Sequence, residues 1–198
     1  MRNLFKISAA ALFLLAATSV QAQKVGLKTN LLYWATGTVN IAAEVKLGTK
    51  TTLDIVGTGN PWVFGSSEEN KKIWHWTAQP EIRFWQCEAF NRGFFGVHAT
   101  TGSFDAGGID IPLGIFPGLK DHRYEGWMAG AGVSYGWQWY LGPHWNLEAT
   151  LGFGYLYLKY NEFECVQCGD LLAENVVKHY FGPTKIGVSF SYLFKSKK

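Results

Sequence analysis

The sequence predicts an all-β fold, a single eight-stranded antiparallel transmembrane β-barrel of the outer-membrane type. Apolar residues alternate with polar or small residues along about eight segments, which is the period of a β-strand. Aromatic residues make up 16 % of the chain and charged residues only 17 %, against roughly 25 % charged residues in an average globular protein. Short turns alternate with long loops, as in barrels that have short periplasmic turns and long extracellular loops.

The N-terminal segment predicts a secretory signal peptide. Arg2 and Lys6 precede the apolar run 7–20, and small residues follow it. The run is too short for a membrane-spanning helix, which needs about 20 apolar residues. We therefore expect residues 1–22 to be removed and residues 23–198 to form one barrel domain. Loss of the two basic residues brings the formal charge of +3 close to neutral, which gives no reason to expect a nucleic-acid partner.

The predicted strands cover most of the mature chain. The clearest alternation, WHWTAQPEIRFW at residues 74–85, places apolar side chains on one face and polar or charged ones on the other. Pro80 in this segment cannot donate a ladder hydrogen bond, so we expect a β-bulge beside it. Long loops are predicted at residues 59–72, 105–123 and 161–179. The eight strands are predicted near residues 24–35, 38–48, 50–58, 73–86, 92–104, 124–140, 143–160 and 180–195.

The outer face of this barrel is predicted to contact lipid rather than water. A soluble barrel with an apolar interior shows the same alternation. Here, however, the second face of two strands is mostly glycine, which weakens a water-facing strand and suits the crowded lumen of a small barrel. Aromatic residues of the apolar face gather at the strand ends, as in the two girdles of a membrane barrel. The predicted girdle residues are Trp74, Trp76, Trp127, Trp137, Trp139, Trp145, Tyr155, Tyr157 and Tyr192.

The opposite face of the strands collects charges of both signs. Buried charges need partners, and an eight-stranded barrel has no room for a water channel. We therefore predict a salt-bridged plug in the lumen rather than a proton-transfer or catalytic cluster. His75 and His98 are expected to join it through hydrogen bonds, and no cofactor or metal is expected. The predicted lumen charge network consists of Lys28, Glu44, Lys46, Asp54, Glu81, Arg83, Glu148 and Lys185.

Ser134 lies in a G-x-S-x-G pattern, Gly132 to Gly136, that is typical of the nucleophile elbow of a serine hydrolase. An elbow needs a strand, a sharp turn and then a helix, whereas the alternation here runs unbroken from Trp127 to Trp139. We therefore predict that Ser134 is a small, space-saving lumen residue, and the sequence identifies no catalytic residue.

Cys165 and Cys168 form a C-x-x-C pair in the last predicted loop, and Cys87 lies in a turn at the opposite rim. In an exported protein such a pair more often closes a local disulfide than binds a metal. A zinc site would need two further ligands, and His179 is on the same loop but no fourth ligand is obvious. We expect a disulfide between Cys165 and Cys168 and an unpaired thiol at Cys87.

A family resemblance is carried by segments spread over the mature chain: LKTNLLY, HWTAQPEIRFWQCEAFN, RYEGW, GAGVSYGWQW, WNLEATLGFGYLY and YFGPTK. They resemble the domain of unknown function 3575 (DUF3575) family, which is abundant in Bacteroidetes-type bacteria. The resemblance implies an outer-membrane β-barrel, often encoded near genes for fimbriae or other surface structures, with no established activity to carry over. The C-x-x-C-G element of the family matches Cys165, Cys168 and Gly169.

These features favour a non-enzymatic protein in the outer membrane of a Gram-negative bacterium. Its expected partners are outer-membrane lipid and, through the long loops, fimbrial or other envelope proteins. An envelope enzyme acting on lipid or glycan and a narrow solute pore are the alternatives. A lumen-facing Ser, His and acid within hydrogen-bond reach would favour the enzyme, and stable single-channel conductance would favour the pore.

Overall fold

In the computed structural model, the described chain comprises residues 24–64, 71–108, 119, 122–163 and 170–194. The predicted signal peptide and the Cys165–Cys168 pair lie outside these residues. Within them, the helix and strands are β1 Val25–Asn30, α1 Leu31–Ala35, β2 Val39–Lys46, β3 Thr51–Asn60, β4 Val63–Phe64, β5 Lys71–Trp85, β6 Arg92–Gly107, β7 Arg123–Tyr140, β8 Trp145–Phe163 and β9 Leu171–Phe194.

The sheet closes on itself. Neighbouring strands pair antiparallel in the order β3, β2, β1, β9, β8, β7, β6, β5, and β3 pairs with β5 to complete the ring. The two-residue strand β4 adds to β5 beyond the ring, where Val63 pairs with Lys72. The prediction of an all-β, eight-stranded antiparallel barrel is therefore confirmed. Closure gives every strand of the ring a neighbour on both sides over the paired region, so that region has no free edge.

The wall of the barrel is uneven in height. β1, β2 and β3 have 6, 8 and 10 residues, whereas β5 has 15 and β9 has 24. Pairing of β1 with β9 ends where Asn30 lies opposite Ser189, and α1 follows where the sequence predicted strand up to residue 35. The Asn30 Oδ1 caps the helix by accepting from the N–H of Leu32 at 3.1 Å, and its Nδ2 donates to Ile186 O at 3.0 Å. No described helix is long and apolar enough to cross a membrane.

The predicted loop 161–179 is mostly strand. β8 continues to Phe163 and β9 begins at Leu171, and β4 likewise takes up part of the predicted loop 59–72. The predicted loop 105–123 lies largely outside the described residues. In these strand extensions the two faces of a strand no longer differ clearly in polarity. Alternation is a difference in polarity between the two faces, so it does not predict the extensions.

The β-bulge predicted beside Pro80 is absent, because the register of β5 does not change there. Ile55 pairs with Pro80 in a ladder between β3 and β5 whose register is constant. The register with β6 is the same on both sides of Pro80, and that ladder only skips residues 79–80. A skipped pair accommodates the missing N–H of proline without an inserted residue.

A bulge occurs instead in β9, beside Pro183. Gly152 of β8 pairs with Lys185, but the next residue, Phe153, pairs with Pro183. Thr184 is the extra residue, and its side chain turns into the lumen next to that of Lys185. Redirecting a side chain in this way is a common consequence of a β-bulge.

Glycines on the lumen face of β7 satisfy two different constraints. A Cβ atom at Gly136 would overlap the Phe94 ring, which confirms that the lumen is crowded there. At Gly130 a Cβ atom would overlap the carbonyl oxygen of Tyr155 in the adjacent strand. The second constraint comes from the close approach of two curved strands rather than from side chains in the lumen.

Candidate functional site in the barrel lumen

The turn end of the lumen, where β5 connects to β6, is filled by apolar side chains. Trp85 and Phe94 are buried with Ala89 and Phe90 of the connecting turn, and Leu193 of β9 packs against them. The ring centroids of Trp85 and Phe94 lie 4.8 Å apart. We call these five residues the turn-end seal, because they occupy the barrel axis at this end.

A layer of charged side chains lies next to the seal and is almost completely buried. Arg83 is at its centre, with 1 % of its side chain exposed. Its Nη1 lies 3.0 Å from both Glu44 Oε2 and Glu148 Oε2, its Nη2 lies 2.8 Å from Asp54 Oδ2, and its Nε lies 2.6 Å from Glu81 Oε2. One guanidinium thus joins carboxylates from four different strands, which suits its fork of five donors.

Two lysines complete this charge layer, which consists of Lys28, Glu44, Asp54, Glu81, Arg83, Glu148 and Lys185. Lys28 Nζ lies 3.0 Å from Asp54 Oδ1, and Lys185 Nζ lies 2.7 Å from Glu81 Oε2. The eighth predicted member, Lys46, makes no ion pair with a described residue. It is the last residue of β2 and lies half-buried at the turn end. Because the buried members are mutually paired, the layer can exist away from water.

Hydroxyl groups complete the surroundings of the carboxylates. Ser134 donates a short hydrogen bond to Glu81, and Thr52 donates one to Glu44. Ser134 is therefore more than the space-saving residue that the sequence predicted, since it serves a buried carboxylate directly. Within the described chain its hydroxyl donates to this acid and not to an imidazole, which is not the hydrogen-bond order of a serine nucleophile.

His98 connects the charge layer to the loop half of the lumen. Its Nε2 lies 2.9 Å from Thr184 Oγ1, and its Nδ1 lies 3.8 Å from Glu81 Oε1. Hydroxyl, imidazole and carboxylate in this order resemble a nucleophile, its base and the group that orients the base. The 3.8 Å between His98 Nδ1 and Glu81 Oε1 exceeds the length of a hydrogen bond. The sequence pattern does not identify Thr184, because strict alternation turns this residue outward and only the bulge beside Pro183 brings it inside.

The loop half of the lumen contains a cavity of about 570 Å³, which we call the lumen cavity. Gln79, Thr100 and Thr184 form its inner end, where Gln79 Nε2 donates to Thr100 Oγ1 at 2.7 Å. His75 lines it nearer the loop end. No Asp, Glu, Lys or Arg occurs among its described lining residues. Its apolar wall includes Ile73, Phe104, Leu119, Met128, Leu156 and Leu158.

The outer face of the barrel is apolar and ends in aromatic side chains. Val133 and Phe153, near mid-height, are 61 % and 52 % exposed. At the loop end the rings of Trp127 and Tyr157 lie 5.6 Å apart, and at the turn end those of Trp145 and Tyr192 lie 4.8 Å apart. The remaining predicted girdle residues fall at the same two heights: Trp74, Trp76 and Tyr155 towards the loops, and Trp137 and Trp139 towards the turns.

One of the three cysteines of the chain lies among the described residues. Cys87 is an exposed free thiol at the turn end, as predicted. No group of three or more His, Cys, Asp and Glu side chains that could hold a metal ion occurs in the described part of the chain.

Comparison with known proteins identifies one family. The profile of the DUF3575 family, described as a protein of unknown function, matches residues 8–194. The chain belongs to the DUF3575 family. No curated protein and no solved structure matches it. What this DUF3575 barrel does must therefore be inferred from its own side chains: a sealed turn end, a charge layer, and an apolar cavity towards the loops.

Proposed function

We propose that this DUF3575 barrel is an integral outer-membrane protein of a Gram-negative bacterium, exported through a cleaved signal peptide. We further propose a non-enzymatic role, in which its loop end holds fimbrial or other envelope proteins. The membrane part of the proposal depends on one observation. Between the loop-end and turn-end aromatic belts, no outward position of the eight ring strands is Asp, Glu, Lys or Arg. A bilayer selects such an apolar band between aromatic girdles.

At the loop end, charged side chains of the outer surface lie level with the aromatic belt or beyond it. Arg123 Nε lies 2.7 Å from Asp105 Oδ1, and Arg123 Nη2 lies 3.3 Å from Glu125 Oε2. On the inner side of the same wall, burial and the charge of Glu162 raise the pKa of Tyr124 to about 12, so the Tyr124 hydroxyl stays protonated and donates to Glu162 at 3.2 Å. Charged side chains outside the apolar band support contact of the loop end with another protein.

The membrane location is tested by expressing the full chain in a Gram-negative host, separating the membranes and running gels with and without boiling. We expect the protein in the outer-membrane fraction, shortened by its leader, with a migration that changes on heating. Recovery of the folded protein in the soluble fraction would refute the membrane assignment.

The partner role is tested by cross-linking on intact cells of the source organism, followed by mass spectrometry. The double variant Arg123→Ala/Glu125→Ala removes two loop-end charges, and Arg92→Ala/Glu88→Ala is its matched control at the turn end. We expect the same envelope protein to be cross-linked to the wild type and the control, and lost from the loop-end variant. Equal cross-linking of all three proteins would contradict a loop-end partner site.

An envelope enzyme acting on lipid is the second candidate, and the chain of contacts from Thr184 through His98 to Glu81 favours it. Its Thr184 hydroxyl also lines the lumen cavity, where an acyl group could reach it. The test is hydrolysis of a labelled phospholipid by the folded barrel. Activity that disappears in Thr184→Val and in His98→Gln, while Ser134→Ala retains it, would establish this candidate over the non-enzymatic one.

A further inference from the structure

The lumen cavity has the size and lining of a ligand site. Its volume of about 570 Å³ lies within the roughly 300–1,000 Å³ of small-molecule pockets. Eight-stranded barrels are just wide enough to hold side chains or a single small ligand. Because its described lining residues include no Asp, Glu, Lys or Arg, the interior of the cavity offers no ion-pair partner to a charged group, and its walls match a hydrocarbon.

We propose that the lumen cavity binds one hydrocarbon chain of an amphiphile, with the polar group of that molecule beside His75. At the inner end, the polar side chains already bond to one another: Gln79 to Thr100 and Thr184 to His98. His75 lies four residues from Gln79 along β5, about 13 Å nearer the loop end, and makes no hydrogen bond to a described residue. The site therefore has an apolar length and, nearer the loop end, an imidazole that no described residue occupies.

Water is not a stable occupant of such a cavity. An apolar cavity gives water too few hydrogen-bond partners and stays dry, and an empty one deprives its lining atoms of dispersion contacts. A hydrocarbon chain restores these contacts along Met128, Leu156 and Leu158 without breaking any hydrogen bond. Binding of a hydrocarbon chain is additional to the proposed partner role, and it requires neither that role nor catalysis.

A hydrocarbon chain can reach the cavity from a bilayer through the side wall between α1 and β9. Strand pairing is missing there, because β1 ends at Asn30 and β9 continues towards the loops. Side chains of Leu32 and Ile186 close the gap and line the cavity, and they are 40 % and 55 % exposed on the outside. This route rests on the proposed membrane location, whereas the cavity itself does not.

The experiment uses the wild-type barrel folded in phospholipid vesicles and two photoactivatable probes. One probe is a fatty acid with a diazirine near its chain end, and the other is a phosphatidylcholine with the same group in one chain. After irradiation, mass spectrometry locates the adducts. Outward-facing Val133 and Phe153 report on the bulk bilayer, and inward-facing Met128 and Leu156 report on the cavity. Inward adducts from either probe support the proposal and identify the source of the chain, and inward adducts from neither probe overturn it.

Matched variants show whether inward labelling comes from the cavity. Leu156→Trp fills the cavity, and Leu151→Trp places the same indole on the outer face of the same strand. We expect Leu156→Trp to lower labelling of Met128 by about tenfold or more, because the indole overfills the space of the chain, and Leu151→Trp to leave it unchanged. If Leu156→Trp fails to fold, Thr100→Phe fills the inner end instead. Undiminished labelling of Met128 in a folded, cavity-filled variant overturns the proposal.

Separate control experiments test the contribution of the polar group and that of the membrane. His75→Ala should weaken labelling by the fatty acid severalfold, and it should leave labelling by a diazirine alkane without a polar group unchanged. Repeating the fatty-acid arm with the barrel held in an amphipathic polymer tests the cavity without a bilayer. Inward labelling there, together with failure of the fractionation test, would retain the binding site and reject only the membrane location.

Discussion

The guanidinium carbon of Arg83 lies 4.2 Å from the ring centroid of Phe94, and both side chains are almost completely buried. This contact joins the two layers that close the turn half of the lumen. One face of the guanidinium lies against an aromatic ring of the turn-end seal, and its edge is bound by the carboxylates of the charge layer. A cation in this position gains from the ring as well as from the acids.

Replacing Arg83 by Met should strongly destabilise the barrel. The change leaves Glu44, Asp54, Glu81 and Glu148 with only two lysines, and breaking a buried ion pair by removing one partner costs about 3–5 kcal/mol. Urea unfolding in vesicles, followed by tryptophan fluorescence, measures the loss of free energy of unfolding. The control, Arg92→Met, changes an exposed arginine and should alter stability by less than about 0.5 kcal/mol. Similar losses in both variants would mean that the charge layer does not hold the barrel together.

Ser134→Ala should destabilise the barrel without changing its fold. The variant removes the hydrogen bond that Ser134 donates to the buried Glu81, and hydrogen bonds to charged groups contribute about 1.5–3 kcal/mol. The heat-dependent gel shift should persist. Ser103→Ala, on the outer side of β6, is the matched control and should be close to neutral. A Ser134→Ala barrel as stable as the wild type would show that Ser134 only saves space.

Gly130→Ala should be much more harmful than Gly142→Ala. A Cβ atom at Gly130 would overlap the carbonyl oxygen of Tyr155, whereas one at Gly142 meets nothing within 4 Å. Since the obstacle is backbone, the two strands must separate, and we expect a cost of about 3 kcal/mol or more. Refolding yield into vesicles and urea midpoints measure the difference. Equal yields and midpoints would show that β7 and β8 can move apart at this point without cost.

Strand alternation predicts which charged residues face the lumen, but it does not predict which side chains contact them. Parity along each strand placed Arg83 and Glu81 inside, because each strand of a closed barrel keeps one face inward. Ser134 and Glu81 are 53 positions apart in the sequence. Whether their side chains meet depends on the shear of the barrel, which inward or outward parity does not specify. Thr184 was missed because one inserted residue beside Pro183 reverses the parity. The lumen cavity had a signal, since Met128, Leu156 and Leu158 are large apolar residues on a face of β7 and β8 that otherwise holds mostly glycine and polar groups.

Thiol labelling should distinguish the three cysteines of the chain. Cys87 is exposed and free, while Cys165 and Cys168 are predicted to form a local disulfide. Before reduction, a maleimide that adds visible mass should react once per folded barrel, and after reduction it should react at all three positions. Cys87→Ser should abolish the first reaction. Labelling of three thiols before reduction would refute the disulfide.

The wild-type barrel should give no stable single-channel conductance in planar bilayers. An ion would have to pass Trp85 and Phe94 of the turn-end seal, and then Arg83 held by four carboxylates. Phe94→Ala should remain silent as well, because the charge layer still blocks the axis after the ring is removed. Both proteins must show the heat-dependent gel shift, so that silence is not caused by failed insertion. Reproducible conductance steps from the folded wild type would mean that the plug opens, and would revive the solute pore.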